Sequence, residues 1–204
     1  MDRKQAEEIL KKLVDVYTEK LDYISELDAA IADGDHGASM VRGFKAVKDS
    51  EEIFNADSLS QVFINTGKVL TRAMGGTCGP LYGTLFIKGG QALEGRETFD
   101  TEELYLFIKE GTKGMMTLGK AQVGDKTMVD ALLPAVEVLE ASASAGDEYA
   151  VAAEKAAVAA EKGKQSTKDM ISKRGRGRYQ GQASLGHIDA GAASMALLIS
   201  TFAE

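Results

Sequence analysis

The chain has 204 residues, 44% of them hydrophobic, and a formal net charge of −7, which suits a globular protein with a sizeable core. This acidity argues against broad electrostatic binding to nucleic acid or to anionic membranes. The single cysteine, Cys78, excludes an internal disulfide, and no apolar run approaches the ~20 residues of a membrane span. We therefore expect one cytoplasmic domain over residues 1–204.

Apolar residues recur at helical spacing along the whole chain, and no window shows the alternation typical of a strand. Asp57 or Ser58 is suited to cap the third helix, and Pro80 falls where a first helical turn tolerates proline. The pattern predicts an all-α barrel or bundle of about eight antiparallel amphipathic helices. The first covers about residues 3–26, the second begins just after residue 35 with an apolar stripe from Met40 to Val47, and the third follows its cap with a stripe from Leu59 to Leu70. The fourth ends near 93, and the others cover about 100 or 101 to 118, 126–145, 147–164 and 192–202.

Four of the connecting loops are rich in glycine, and they follow the first, third, fifth and seventh predicted helices. If neighbouring helices alternate up and down, these loops share one end of the bundle. A functional site is therefore predicted at that end.

The first of these loops belongs to the segment LDAAIADGDHG, in which Asp28, Asp33 and Asp35 fall within eight positions. Carboxylate oxygens are the ligands that Mg²⁺ prefers, usually together with substrate phosphates. An Asp-Gly turn with surplus acid is the plainer interpretation. However, the helix that starts at His36 would turn free amides towards the same ligand, which favours a metal and phosphate site.

The other three loops add groups that suit a phosphate ligand. Residues 75–79 open a helix and offer a backbone cradle, although they lack the lysine of a Walker A loop. Residues 124–127 precede another helix, and residues 173–178 are basic in an otherwise acidic chain. No G-x-S-x-G is present and Cys78 has no assigned base, so no catalytic residue is assigned beyond metal and nucleotide ligands.

The motifs DGDHG, MGGTCGPLYG, GDKTMVDAL and GHIDAGAAS occur in this order. Together they resemble the family of ADP-binding L subunits of bacterial dihydroxyacetone kinases, over essentially the whole chain. The resemblance implies a barrel of eight antiparallel helices with the nucleotide at one end. It also implies ADP or ATP as a bound coenzyme and two Mg²⁺ ions held by Asp28, Asp33 and Asp35. The nucleotide-binding residues that it implies are His36, Gly37, Ala38, Ser39, Thr77, Cys78, Gly119, Met128, Arg176, Asp189, Ala190 and Gly191.

The same resemblance implies an activity shared between subunits. A phosphohistidine-bearing donor subunit would phosphorylate ADP, and the γ-phosphate would pass to dihydroxyacetone on a separate substrate-binding subunit. A related kinase module that uses exchangeable ATP for another acceptor remains an alternative. A nucleotide-sensing regulatory paralogue that binds a transcription regulator is a second one.

Three positions depart from the family's pattern. Ser39 stands where the family usually has Asn. The loop reads GRGRYQGQAS instead of G-R-A-S-Y-L-G-E-R-S, which keeps Arg176 and adds Arg178. Asp189-Ala190-Gly191 replaces Asp-Pro-Gly. The three aspartates of the expected metal site are unchanged.

Overall fold

The structure is a computed structural model that describes residues 3–204; Met1 and Asp2 of the expected domain lie outside them. Within this range it contains ten α-helices, two 3-10 segments and no strand, which confirms the predicted all-α class. The helices are α1 (Arg3–Glu19), α2 (Leu21–Ala29), α3 (His36–Lys48), α4 (Glu51–Phe54), α5 (Leu59–Ala73), α6 (Cys78–Ala92), α7 (Thr101–Gly119), α8 (Met128–Ala145), α9 (Tyr149–Ser166) and α10 (Ala190–Thr201). The 3-10 segments are Thr167–Asp169 and Gly177–Ser184.

The helices form a closed ring. Helices α5, α6, α7, α8 and α9 each pack against the next, and α3 joins α5 to α1 and α2. The ring closes because α10 packs against α8 and α9 on one side and against α1 and α2 on the other.

Aromatic side chains fill the middle of the ring. Phe63, Phe86 and Phe107 are fully buried and in mutual contact, with centroid distances of 4.5 Å between Phe63 and Phe107 and 5.6 Å between Phe86 and Phe107. Phe44 and Phe202 extend the cluster towards α1 and α10. Burying each such ring contributes roughly 1.5–3 kcal/mol to the free energy of folding, so this cluster stabilises the packing of the helices.

Several predicted boundaries are wrong by a few residues or more. The predicted first helix divides into α1 and α2 at Lys20, whose backbone leaves the helical region (φ −94°, ψ 10°). The sixth helix begins at Met128 rather than at 126, because Lys126 has a left-handed backbone (φ 61°) and Thr127 is the N-cap. The predicted cap of α5, Asp57 or Ser58, is confirmed as Ser58, which accepts a hydrogen bond from the Gln61 amide.

Three further elements were not predicted, among them the short 3-10 segment Thr167–Asp169. The short helix α4 precedes α5, and Gly177–Ser184 forms 3-10 turns within the loop expected to be irregular. In that segment Gly181 interrupts the turns with a positive φ of 51°. The 3-10 turns give the basic loop an ordered backbone conformation.

Candidate functional site

Three carboxylates of the first loop meet at one end of the ring. Asp28 lies in the last turn of α2, and Asp33 and Asp35 follow in the turn before α3. One oxygen of each carboxylate lies within 4.8 Å of the others. Within residues 3–204, Asp28 Oδ2 is one of three buried side-chain oxygens that have no hydrogen-bond partner.

A cationic side chain from the fourth loop reaches this cluster. The Arg176 guanidinium forms an ion pair with Asp33, and its Nη1 lies 3.3 Å from Asp35 Oδ2. The acidic cluster therefore binds a cationic side chain that lies 141 positions away in the sequence.

The donor set fits a hard divalent cation. Hard cations bind carboxylate oxygens, and a buried carboxylate oxygen without a partner is costly unless a cation or donor satisfies it. The unpartnered Asp28 Oδ2 supplies that observation, since it is buried in a residue whose carboxylate has an oxygen within 4.8 Å of those of Asp33 and Asp35. The three predicted metal ligands are thus brought together, and their role as ligands stays a prediction.

The His36 side chain turns into the protein rather than towards the cluster. It is only 5% exposed, with Nε2 2.7 Å from Ser194 Oγ and Nδ1 3.2 Å from Cys78 Sγ. The Ser194 hydroxyl donates to the Gly191 carbonyl (2.9 Å) and accepts from the Tyr82 hydroxyl (2.8 Å). Because its one proton is used, the Nε2–H of His36 must donate to it, and Nδ1 accepts from the Cys78 thiol.

Burial keeps this network neutral. It lowers the pKa of His36 to about 4, with Asp35 acting in the opposite direction. It raises the pKa of Cys78 to about 12, helped by the nearby carboxylates of Asp35, Asp28 and Asp189. With both its nitrogens engaged, His36 is poorly placed to carry a phosphoryl group, and the Cys78 thiol is a weak nucleophile.

The remaining residues predicted in the first two loops lie around the helix starts. Gly37 packs so closely on α2 that a Cβ would lie 2.4 Å from the Leu21 carbonyl oxygen. Ala38 is exposed, and Ser39 is buried and accepts a hydrogen bond from Arg42 (3.2 Å). Thr77 is exposed at the N-cap of α6. The amides that open α3 and α6 thus lie next to the carboxylates.

The third and fourth loops adjoin each other. A Cβ on Gly191 would lie 3.0 Å from Met128 Cγ, so the starts of α8 and α10 are in contact. Gly119 ends α7, where a Cβ would lie 3.2 Å from Leu81 of α6. The structure therefore brings the four glycine-rich loops to one end of the ring.

Asp189 closes the site on the α10 side. Its Oδ2 caps α10 by accepting from the Ala192 amide (2.8 Å), and the adjoining Ala190 is buried. Burial raises the pKa of Asp189 to about 7, against the lowering effects of that hydrogen bond and of Lys126. A carboxylate that titrates near neutrality at the edge of an acidic cluster suits a site for a charged ligand.

Comparison with known proteins decides the family. A model of the DAK2 domain matches residues 30–204. The chain belongs to the DAK2 domain family. This DAK2 domain is 37% identical over 203 residues to the ADP-binding subunit DhaL of the PEP-dependent dihydroxyacetone kinase of Escherichia coli (strain K12), covering 100% of this chain and 97% of the relative. It is 36% identical over 197 residues to DhaL of the PTS-dependent dihydroxyacetone kinase of Lactococcus lactis subsp. lactis (strain IL1403), covering 97% of this chain and 94% of the relative.

A larger kinase contains the same fold. The dihydroxyacetone kinase of C. freundii, solved in complex with AMP-PNP and Mg²⁺, superposes with a TM-score of 0.69 and 26% identity. The match covers 97% of this DAK2 domain and 33% of that chain, so the domain spans about a third of the kinase. The resemblance predicted from the four motifs is confirmed.

In the described part of this DAK2 domain, every helix is too short or too polar to cross a membrane. The interaction with a transcription regulator stays a prediction.

Sequence reasoning missed three residues that organise the site of this DAK2 domain. Ser194 and Tyr82 join the starts of α3, α6 and α10 through hydrogen bonds. Lys126 is 1% exposed and bonds to the carbonyls of the fourth loop. Its position in GDKTMVDAL places it in a motif, but nothing in the sequence distinguishes a buried lysine from a solvated one.

Proposed function

We propose that this chain is the nucleotide-binding subunit of a dihydroxyacetone kinase and that it holds ADP or ATP with Mg²⁺. The observation that carries the proposal is the cluster of Asp28, Asp33 and Asp35, with its unpartnered buried oxygen, where four glycine-rich loops meet. The relatives named as ADP-binding subunits, which align over nearly their whole length, support the same ligand.

In this proposal the three carboxylates hold two Mg²⁺ ions and thereby allow an acidic protein to bind a polyphosphate. Bound Mg²⁺ would neutralise phosphate charge and polarise the transferring phosphoryl group. The chain's own contribution is to position these ions, because the carboxylates sit on the rigid end of α2 and on the turn before α3.

Backbone amides provide the second set of contacts. The starts of α3 (His36 to Ala38) and α6 (Thr77 and Cys78) present free amides and the positive ends of their helix dipoles to phosphate oxygens, and Ser39, whose amide is bonded within α3, adds its hydroxyl. Arg176, already drawn to the cluster, supplies a guanidinium that can pair with a phosphate.

The third and fourth loops complete the site. Gly119 and Met128 border the base, and Asp189, Ala190 and Gly191 close the site on the α10 side. The buried Met128 and the small Gly191 lie in contact, so they form an apolar wall suited to a planar group.

The chain contributes positioning and charge stabilisation to the reaction rather than a covalent intermediate. A phosphohistidine-bearing partner would supply the phosphoryl group to the β-phosphate of the bound nucleotide. A substrate-binding subunit would present dihydroxyacetone to receive it. The neutral, doubly hydrogen-bonded His36 supports this division, because it leaves the phosphohistidine to the partner.

The first experiment measures the bound nucleotide. Protein purified without added nucleotide is denatured, and the supernatant is analysed by mass spectrometry; we expect ADP. Asp28→Asn should lower the affinity for Mg-ADP by at least about 100-fold, since even residues behind a metal ligand contribute 10–100-fold. Asp49→Asn, at the far end of α3, is the matched control. No co-purified nucleotide together with no binding of added Mg-ADP would refute the proposal.

A second candidate is a kinase module that uses exchangeable ATP for this or another acceptor. The complex of the larger C. freundii kinase with AMP-PNP, an ATP analogue, favours it. Labelled ATP and a labelled phosphohistidine partner, offered separately with the substrate-binding subunit, distinguish the two schemes. Transfer from ATP alone with rapid exchange of ADP would support the second candidate.

A further inference from the structure

Two adjacent residues of the third loop, Asp125 and Lys126, are charged and almost fully buried. Their exposures are 2% and 1%. A buried charge is costly unless hydrogen bonds and an opposite charge compensate it. For both residues most of these partners come from residues 170–187, which we call the lid segment.

The hydrogen bonds of the Lys126 ammonium all go to the lid segment, while the charges of Asp189 and Asp169, just outside that segment, also stabilise its protonated form. Its ammonium donates to the carbonyls of Met170 (3.2 Å), Ser184 (2.5 Å) and His187 (2.6 Å), which uses all three of its donors. Its backbone is left-handed (φ 61°), a conformation that is unfavourable for a residue other than glycine. These three hydrogen bonds compensate that cost and draw the two ends of the lid segment together.

Asp125 fixes a third point of the same segment. Its Oδ2 accepts from Arg174 Nε (3.2 Å) and from the Gln122 amide (3.1 Å). Its backbone carbonyl accepts from the Lys173 amide (3.0 Å), and its Oδ1 lies 3.6 Å from Lys173 Nζ. Residues 173–174 are therefore held directly before Arg176.

Arg176 is the residue of the lid segment that meets the acidic cluster, through Asp33 and Asp35. Its own side chain is 54% exposed, so the cluster alone does not fix it. The direction of the Arg176 side chain is set by the backbone on either side of it, which Asp125 and Lys126 hold at residues 170–174 and 184–187.

We propose that Lys126 is a positioning residue for nucleotide binding, because it fixes the lid segment so that Arg176 faces the carboxylate cluster. This inference rests on the proposed nucleotide function. Lys126 donates its side-chain hydrogen bonds only to backbone carbonyls of the lid segment, and in this proposal it acts on the ligand through Arg176.

A double-mutant cycle tests the coupling. Affinity for Mg-ADP is measured by calorimetry for the wild type, Arg176→Ala, Lys126→Met and the double variant. Loss of a charge-assisted contact should weaken binding by about 10-fold or more in Arg176→Ala. We expect a similar loss in Lys126→Met and no further loss beyond about 2-fold in the double variant. Losses that multiply would show that Lys126 does not act through Arg176 and would overturn the proposal.

Limited trypsin digestion without nucleotide tests the lid segment directly. Lys173, Arg174, Arg176 and Arg178 are all cleavage sites within it. Lys126→Met should speed cleavage there by about 10-fold or more, because a segment released from its anchors opens more often. Lys162→Met, at an exposed position of α9, is the control. An unchanged cleavage rate in Lys126→Met would overturn the proposal.

Two further measurements keep the outcome decisive. If thermal denaturation shows that Lys126→Met does not fold, Asp125→Asn takes its place, because it weakens the neighbouring anchor of the lid segment. It should also lower the affinity for Mg-ADP and speed cleavage by trypsin. No change in either quantity would count against the proposal. A wild type that binds no Mg-ADP would refute the proposed function and the role of Arg176 in it. The trypsin comparison would then still decide whether Lys126 fixes the lid segment.

Discussion

At the scale of single residues, the site places neutral groups directly beside charged ones. His36 and Cys78 share a hydrogen bond next to three carboxylates, and burial keeps both uncharged at neutral pH. The imidazole of His36, the first residue of α3, thus ties α3 to α6 and α10. Replacing His36 would therefore act by changing the geometry of the loops rather than by removing a proton donor or acceptor.

The reactivity of Cys78 checks this view of the network. A rise of its pKa to about 12 lowers the thiolate fraction by about 1000-fold relative to an ordinary thiol. Iodoacetamide should therefore modify native protein at least about 100-fold more slowly than urea-denatured protein, as followed by mass spectrometry. Thr77→Cys combined with Cys78→Ala places a thiol at the exposed neighbouring position and should react quickly. Equal rates for native and denatured wild type would contradict the assignment.

The pKa of Asp189 predicts an unusual pH dependence of stability. Burial raises it to about 7, while an unfolded aspartate titrates near 3.8. Between these values the folded protein binds a proton that the unfolded chain has released, so the free energy of unfolding falls as the pH rises. Each pH unit in this window costs up to about 1.4 kcal/mol.

The variant Asp189→Asn isolates this effect, since Asn also caps helices but does not titrate. Relative to the wild type, it should gain about 2 kcal/mol of stability between pH 5 and pH 8. Urea denaturation without Mg²⁺ and nucleotide measures the difference. Parallel pH profiles for the two proteins would show that Asp189 is ionised across this range.

At the scale of elements, α8 and α9 pack closely just after the third loop ends. Pro134 in α8 has no amide proton, so the carbonyl of Asp130 lacks its usual helical donor. Gly163 of α9 lies against this carbonyl, and a Cβ there would be 2.1 Å from the oxygen. The carboxylate of Asp130 meanwhile accepts from the amides of Gly124 and Thr127, so this helix contact supports the third loop.

Gly163→Ala should therefore destabilise the protein by about 1–3 kcal/mol, because backbone atoms must move to admit the methyl group. Gly114→Ala is the comparison: the nearest atoms that its methyl would meet, Lys88 Cγ at 2.6 Å and Thr84 Cγ2 at 3.0 Å, belong to side chains rather than to backbone, so a smaller rearrangement admits it. Its cost should be offset by the better helix propensity of Ala, which is about 1 kcal/mol. Chemical denaturation compares the two, and equal effects would argue against close backbone packing of α8 on α9.

Helices were predictable where their apolar periodicity was long, as for α5 and α7. The break at Lys20 was not, because the apolar stripe and the hydrogen bonds around it continue from α1 into α2. The 3-10 turns of Gly177–Ser184 carry no apolar period, and their course is set by partners elsewhere in the chain. The aspartate cluster was predictable since its three members are close in sequence.

At the scale of the whole molecule, the candidate site draws on residues from 28 to 191. Hydrogen bonds and ion pairs link its four loops, so no separate part of the ring carries it. The partners of Lys126 illustrate why sequence reasoning stops here: backbone carbonyls carry no sequence signal, and only the closed ring brings them to the ammonium.

Ligand binding should consequently stabilise the entire fold in one transition. Mg-ADP at about 100 times its dissociation constant adds about 2.7 kcal/mol to the free energy of unfolding. Denaturation followed by both far-ultraviolet circular dichroism and tyrosine fluorescence should show one coincident shift. Asp33→Ala should abolish the shift. A ligand that moved only one of the two probes would indicate that the site belongs to a part that unfolds independently.

The contact that closes the ring has a consequence for how the protein is made. The Tyr17 hydroxyl donates to the Ser194 carbonyl (2.9 Å) across 177 positions of the sequence. During synthesis the aspartates of the first loop leave the ribosome well before Asp189 and Ser194, at roughly 5–20 residues per second. A growing chain therefore carries its acidic cluster for many seconds without the helix that encloses it. Binding of a ligand at the cluster would then report that α10 has docked, because the cluster and this helix come together only at that step.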